Sequence, residues 1–407
     1  MPEAVIVDSV RSPIGRAFKG SLTQVRPDDL GAHVVDALLD RVPDLKPEEV
    51  EDLICGCGLP QGAQSYNIAR IIGLLSRLPD TTTGTTVHRY CASSLQAIRI
   101  GAHAIKAGEG DTYIAAGIEH VSQVGPWSED GLPQLMGAIV DNAPDDVKGQ
   151  IPQPHFKNDK VDGGDGRTDA YISMGQTAEN VAERWDVKRE DMDHYAQRSQ
   201  ERAVAARESG FFDREIVPVG LPDGSTVDKD DGPRADSTYE KLASLKPAFR
   251  ENGRVTAGNS CPLNDGAAAT LLMSEDRARE LGLSPRARII ASATSGLEPE
   301  IMGVAPIGAV KKVLERAGMT IEDVDVVELN EAFAAQVLPI ADECGIDMDK
   351  LNPHGGAIAL GHPFGMTGAR IMTTLLNDLE THDKQVGLET MCVAGGQGMA
   401  MIVERLS

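Results

Sequence analysis

Apolar residues in this 407-residue chain come in short runs separated by polar turns, with spacings that alternate between strand-like and helical. Residues 4–9, 52–57 and 113–117 are each brief, apolar and bounded by turn formers, which predicts strands. Residues 27–39 carry apolar side chains at helical spacing, and residues 92–107 repeat the pattern until Gly108 stops it. Strands alternating with helices predict an α/β fold around a largely buried mixed or parallel sheet.

The last third repeats this plan. Pro47-Glu48-Glu49-Val50-Glu51-Asp52-Leu53-Ile54 is similar to Thr320-Ile321-Glu322-Asp323-Val324-Asp325-Val326-Val327, an offset of about 274 residues. The same offset sets the region of Cys91 beside residues 361–368 and Ile118 beside Cys392. Residues 4–9 resemble 287–292 at a slightly larger offset. Two related α/β halves, packed face to face, are expected. Residues 120–250 interrupt the repeat, Gly/Pro/Asp-rich from 125 to 167 and then strongly helical from 173 to 209. An insertion of that size on a rigid scaffold commonly carries ligand-binding surface or a subunit contact.

Length favours two or three domains. The apolar content is aliphatic, since aromatics are only 4% of residues, and this suits a packed α/β enzyme. Six cysteines in so long a chain are too sparse for a disulfide framework, so reduced thiols are expected. A net charge of −23 opposes nucleic acid and anionic membranes as partners. An anionic ligand would need a local basic patch, for which Arg234, Lys241, Lys246, Arg250 and Arg254 are candidates. The chain opens on Ala4-Val5-Ile6-Val7 without a charged leader, and no run reaches membrane-spanning length, so a soluble cytoplasmic protein is expected.

Cys91 falls between an element ending near Val87 and the helix predicted from Ala92. A thiol at a helix N-terminus is expected to have its pKa lowered from ~8.5, although a cysteine in apolar surroundings is more often inert. His362 lies in a glycine-rich stretch, 352–368, which by the duplication is the half-equivalent of the Cys91 element. Symmetric packing would bring the two into a proton-transferring pair; alone, the histidine reads as a structural hydrogen-bonding group. Residues 389–398 form a strand entering a glycine-rich turn, whose amides suit an oxyanion and whose Cys392 suits an acid or base. No G-x-G-x-x-G opens a helix there, against a dinucleotide fold. Asn330 follows the strand-like residues 324–329 and reads either as a group projecting into a crevice or as a helix N-cap. Cys55 and Cys57 share a strand face without a Cys/His cluster at zinc spacing, so no metal is expected.

In this order the elements resemble the thiolase family over nearly the whole chain. The landmarks are Arg11-Ser12-Pro13-Ile14-Gly15, Tyr90-Cys91-Ala92-Ser93-Ser94, Ser173-Met174-Gly175, Val255-Thr256-Ala257-Gly258-Asn259, Asn330-Glu331-Ala332-Phe333, Gly361-His362-Pro363 and the Cys392 turn. The resemblance implies a thiolase fold: two related βαβαβαββ-type halves with mixed sheets in an α/β/α/β/α layering, plus an inserted loop domain. Residues 1–120 and 250–275 would form the N-terminal half, 121–249 the insertion, with coenzyme A binding and oligomer contacts, and 276–407 the C-terminal half. It further implies thiolytic cleavage of 3-ketoacyl-CoA to acetyl-CoA and a shortened acyl-CoA, with Cys91 acylated, His362 accepting its proton, Cys392 as second acid/base and Asn330 polarising a thioester oxygen.

By the same resemblance coenzyme A, a substrate rather than a tightly bound cofactor, would lie on Met174, Phe249, Phe333, Ala257, Gly258 and Cys261, with Arg234 beside the adenine. A homodimer or homotetramer is implied. Alternatives are the acetoacetyl-CoA-forming direction and a non-catalytic acyl-CoA or lipid carrier of the same fold; a decarboxylating ketoacyl synthase is opposed by Cys392. Departures from the commonest pattern are Ala394 for Gly, Cys261 for Ser and His354 for Asn.

Overall fold

The computed structural model describes residues 2–124 and 160–406, so the Gly/Pro/Asp-rich stretch falls outside the described residues between 125 and 159. The strands are β1 (Ala4–Arg11), β2 (Gly15–Arg16), β3 (Asp52–Cys57), β4 (Thr83–Val87), β5 (Thr112–His120), β6 (Val219–Gly220), β7 (Thr226–Val227), β8 (Asn264–Ser274), β9 (Ala287–Gly296), β10 (Val326–Leu329), β11 (Val386–Val393) and β12 (Gln397–Arg405). The helices are α1 (Pro27–Arg41), α2 (Ile68–Leu75), α3 (Ser93–Ala107), α4 (Met174–Arg184), α5 (Arg189–Glu208), α6 (Tyr239–Ala243), α7 (Glu275–Glu280), α8 (Pro306–Ala317), α9 (Ala334–Cys344), α10 (Ala357–Leu360) and α11 (Thr367–Thr381).

The duplication is visible in the element boundaries. Asp52 and Val326 open β3 and β10, Ser93 and Thr367 open α3 and α11, and Thr112 and Val386 open β5 and β11, each pair 274 residues apart. Strand order repeats as well: β3-β5-β8-β1 in one half, with β4 added at its edge, and β10-β11-β12-β9 in the other. In both, the first pair is parallel and the later pairs antiparallel. The two sheets are not separate: β1 and β9 pair antiparallel at Val5–Arg288 and Ile6–Ala287, making one continuous ladder. The strands β5, β8 and β11 are buried along their whole length, including their polar members Glu119, Asp265 and Glu389.

Helices α3 and α11 lie between the sheets, where Leu95 and Ile98 of one and Ile371 and Leu375 of the other join Ile6, Met391 and Met401 in a single core. Helices α1 and α2 cover the outer face of the N-terminal half, and α8 and α9, with α4 and α5 behind them, cover that of the C-terminal half. Helix, sheet, paired helices, sheet and helix therefore alternate. The crossing of the central helices is close: a Cβ on Gly368 would sit 2.3 Å from the Leu95 nitrogen, so only glycine fits. Ser94 Oγ completes the contact by accepting from the Ala369 N–H at 2.9 Å.

A buried cation ties the insertion to this scaffold. Arg11 is fully buried, pairs with Glu215 at 2.7 Å and meets Asp230 through both terminal nitrogens. Among the described residues, no helix is long and apolar enough to cross a membrane.

Candidate active site

Cys91 does not open α3. It sits in the short 3-10 turn Tyr90–Ala92 just ahead of it, and Tyr90 takes a left-handed backbone, φ 43°, that a tyrosine adopts only under constraint. Ser93 supplies the constraint: its Oγ donates to the Tyr90 carbonyl at 2.6 Å and accepts from the Arg89 N–H at 2.9 Å. The glycine-rich turn between β11 and β12 is bound to this one, because Arg89 donates to Gln397 Oε1 at 3.0 Å and Gln397 Nε2 donates to the Ala394 carbonyl at 3.2 Å. The backbone amides of Ala394 and of Cys91 both face the Cys91 sulfur as a result.

The expected lowering of the Cys91 pKa is not what this site produces. The thiol is pushed up to about 12, chiefly by burial, and the two amides offset only part of that. Exposure of Cys91 is 8% and a helix terminus cannot replace the lost hydration. Cys392, at the end of β11, is also buried and raised, first by burial and then by the nearness of Cys91 and Cys261. Its thiol donates to Gln336 Oε1 of α9 at 3.3 Å.

His362 lies in the loop leading into α11 and is 1% exposed. The backbone N–H donates to Asn264 Oδ1 at 3.0 Å. Thr367, the first residue of α11, donates its hydroxyl proton to the Pro363 carbonyl at 2.8 Å and so presents only a lone pair to His362 Nδ1, 2.7 Å away. That arrangement selects the Nδ1–H tautomer and leaves Nε2 basic. Asn330 donates to Nε2 at 3.3 Å, while its own Oδ1 is buried without a partner. Burial, followed by the Arg370 charge, lowers the imidazole to about 3, so thiol and imidazole both rest neutral.

Asn330 is therefore not a helix cap: α9 begins at Ala334 with Phe333 at the cap. The neighbouring Glu331 turns away and braces the scaffold, its carboxylate accepting from Tyr195, Ser199, Asn352 and the Ile358 amide. Cys261 adjoins both groups, since its N–H donates to the Ala332 carbonyl at 3.0 Å and its sulfur lies near Cys91.

The remaining predicted residues divide between two neighbouring surfaces. Phe249 lies on Gly175 and meets Phe333 edge-on, ring centres 5.8 Å apart, with Met174 packed against the same core. Ala257, Gly258 and Arg234 line a groove of about 290 Å³ together with Arg16, Lys241, Leu245 and Ser260. The basic patch read from the sequence is smaller than expected. Arg250 is used by Gln176 and Asn180, and Arg254 by the carbonyls of Ala182 and Val187, so Arg234 remains at the groove with Lys241, which pairs with Asp236 of the same wall at 2.7 Å. A larger cleft of about 490 Å³ between α5 and α9 holds none of the predicted residues.

Four residues here escaped the sequence reading: Thr367, Gln336, Arg16 and Glu119. The last is buried, accepts from the amides of Gly58 and Gly365, and is raised to about 7 by burial. Thr367 had a signal, a hydroxyl residue opening a helix five positions after the histidine; Gln336 and Arg16 had none without the fold.

Comparison with known proteins identifies the family. Residues 4–276 match the family model for the thiolase N-terminal domain and residues 283–405 that for the thiolase C-terminal domain. The chain belongs to the thiolase family and is an acyltransferase. It is 45% identical to the 3-oxoadipyl-CoA/3-oxo-5,6-dehydrosuberyl-CoA thiolase of Escherichia coli, over all of both chains. It is 41% identical to the 3-ketoacyl-CoA thiolase of Bacillus subtilis, over 99% of this chain and all of that one. The crystal structure of the dimeric peroxisomal thiolase of Saccharomyces cerevisiae superposes with a TM-score of 0.88 at 36% identity, covering 99% of this chain and 97% of that one.

Proposed function

We propose that the protein cleaves 3-ketoacyl-CoA with coenzyme A, through an acyl group carried on Cys91. The observation that carries this reading is the pair of main-chain amides, from Cys91 and Ala394, aimed at a buried nucleophilic sulfur. His362 Nε2 takes the Cys91 proton as the sulfur bonds to the 3-keto carbon. The C2–C3 bond then breaks, its electrons forming the enolate of acetyl-CoA, whose oxygen is met by protonated His362 and, through a water, by Asn330. Cys392 delivers its proton to C2 and acetyl-CoA leaves. Coenzyme A gives its thiol proton to the Cys392 thiolate and attacks the acyl group on Cys91, the oxyanion resting on the two amides. Collapse expels the Cys91 thiolate, which recovers its proton from His362, and no tightly bound cofactor takes part.

Coenzyme A is assigned to the groove at Arg234, Ala257 and Gly258, its pantetheine passing Cys261, Met174, Phe249 and Phe333 toward the thiols. The relatives' names favour a straight or dicarboxylic 3-ketoacyl chain, and the dimeric neighbour favours a homodimer. Thiolysis of acetoacetyl-CoA, a longer 3-ketoacyl-CoA and 3-oxoadipyl-CoA, wild type beside Cys91→Ala, tests the reading. Cleavage that disappears in the variant is expected. Binding of coenzyme A without cleavage of any of the three would favour the carrier instead.

A further inference from the structure

His354, a departure from the family's common Asn, belongs to none of the chemistry above. It lies in the turn before α10, half-shielded, its ring stacked on Phe211 with centres 3.5 Å apart and planes at 7°. One ring nitrogen touches the carboxylate of Asp378. Asp378 is fully buried in the last turns of α11, and His382 follows it by four residues, so the two share one face of the helix end. The rings of His354 and His382 lie side by side, 5.3 Å between centres and 22° between planes. One ligand atom from each of the three residues can be chosen so that all lie within 4.8 Å of one another.

We propose that His354, Asp378 and His382 form a binding site for a divalent transition-metal ion of the zinc type. The chemistry of the donors is a carboxylate and two imidazoles, a set common at zinc, with solvent able to supply a fourth ligand. Zinc holds such atoms at ~2.0–2.2 Å, and rotation of the exposed His382 closes the remaining distance. The buried end of the site gathers three carboxyl groups, Asp378, Glu328 and Glu389, all fully buried. His354 Nδ1 meets the Asp378 carboxylate, which also shares a hydrogen bond with Glu328, and both oxygens of the buried Glu389 lack a hydrogen-bond partner. Facing them, Arg370 lies 3.8 Å from Glu328, while Arg11 is held by Glu215 and Asp230. A dication on Asp378 would offset the negative charge gathered there by Glu328 and Glu215, taking the place of the proton that Asp378 and Glu328 share. Sequence spacing hides the site, because His354 is far along the chain from the i, i+4 pair.

The bound ion would fasten the far end of α11, whose first residue orients His362, to the loop that leads into that histidine. The site itself does not depend on the reaction proposed above, and neither does its test. Full-length protein stripped with a chelator is titrated with Zn²⁺ by calorimetry, with bound metal counted by elemental analysis. Wild type is expected to take one ion per chain, Cys91→Ser to keep it, and His382→Ala and His354→Asn each to bind about tenfold or more weakly. Asn is the family's usual residue at 354 and His382 is exposed, so both variants should fold. Absence of saturable binding overturns the proposal. So does binding that both histidine variants retain at full strength, or that only the cysteine substitution removes.

Discussion

The Cys91 sulfur illustrates a contest between two local effects of opposite sign. A helix end and two amides favour thiolate, but burial removes more hydration than they replace, and the thiol ends near 12. For an acid raised this far, the reactive thiolate fraction grows throughout the accessible alkaline range. Inactivation by iodoacetamide should therefore accelerate about tenfold per pH unit from pH 7 to 10, without levelling near the ordinary thiol value. A plateau below pH 9, or a rate independent of pH, would mean a thiolate already stabilised, as in a resting ion pair with His362. Thr367 acts one bond further away. Replacing it by Val keeps the shape but leaves the buried His362 Nδ1–H without an acceptor, a loss of about 1–3 kcal/mol concentrated on the tautomer needed for catalysis. We expect kcat to fall by about tenfold to a hundredfold with KM little changed, and Thr367→Ser to restore most of it. Equal losses in the Val and Ser variants would make Thr367 merely structural.

Elements were legible in the sequence where burial made the pattern unambiguous. The strands at 52–57 and 287–292 and the stop at Gly108 follow from apolar runs and a left-handed glycine, φ 76°. The offset of 274 residues set the Cys91 region beside residues 361–368, and the helices that follow the two, α3 and α11, keep the same offset. What the pattern did not contain was the β1–β9 pairing that fuses the two sheets, since an edge contact of two residues leaves no periodic trace. The start of α3 was misplaced by one residue because the Ser93 hydroxyl tightens the preceding turn in a way no propensity reports. The helix crossing itself is testable. Gly368→Ala puts a methyl against the Leu95 backbone, which has no flexible end to yield, so the central helices must separate. A loss of about 1–3 kcal/mol is expected, read as a lower urea midpoint at unchanged m-value. An unchanged midpoint would mean that the helices are not packed as closely as described.

For the protein as a whole, charge was the most informative bulk property and also the most misleading in detail. A net −23 demands a local cationic site for an anionic ligand. Sequence position alone nominated five cations, yet Arg250 and Arg254 are committed to internal acceptors, and Arg16, from the opposite end of the chain, takes their place in the groove. Only the fold brings residues 16, 234 and 241 to one wall. The Arg16 guanidinium is lowered first by burial and then by Arg234, with Asp231 opposing, which places two like charges close together at the groove where an anionic ligand would be attracted. If that anion is the phosphate-bearing end of coenzyme A, Arg16→Ala and Arg234→Ala should each raise its KM by about tenfold, worth ~1.4 kcal/mol, and leave kcat within about a factor of two. Added salt should shrink the difference from wild type, because it screens the attraction that the variants lack. Thioesters truncated to N-acetylcysteamine never reach the groove, so the same variants should process them as wild type does. An equal penalty on truncated and full-length substrates would move these arginines from ligand recognition to support of the fold.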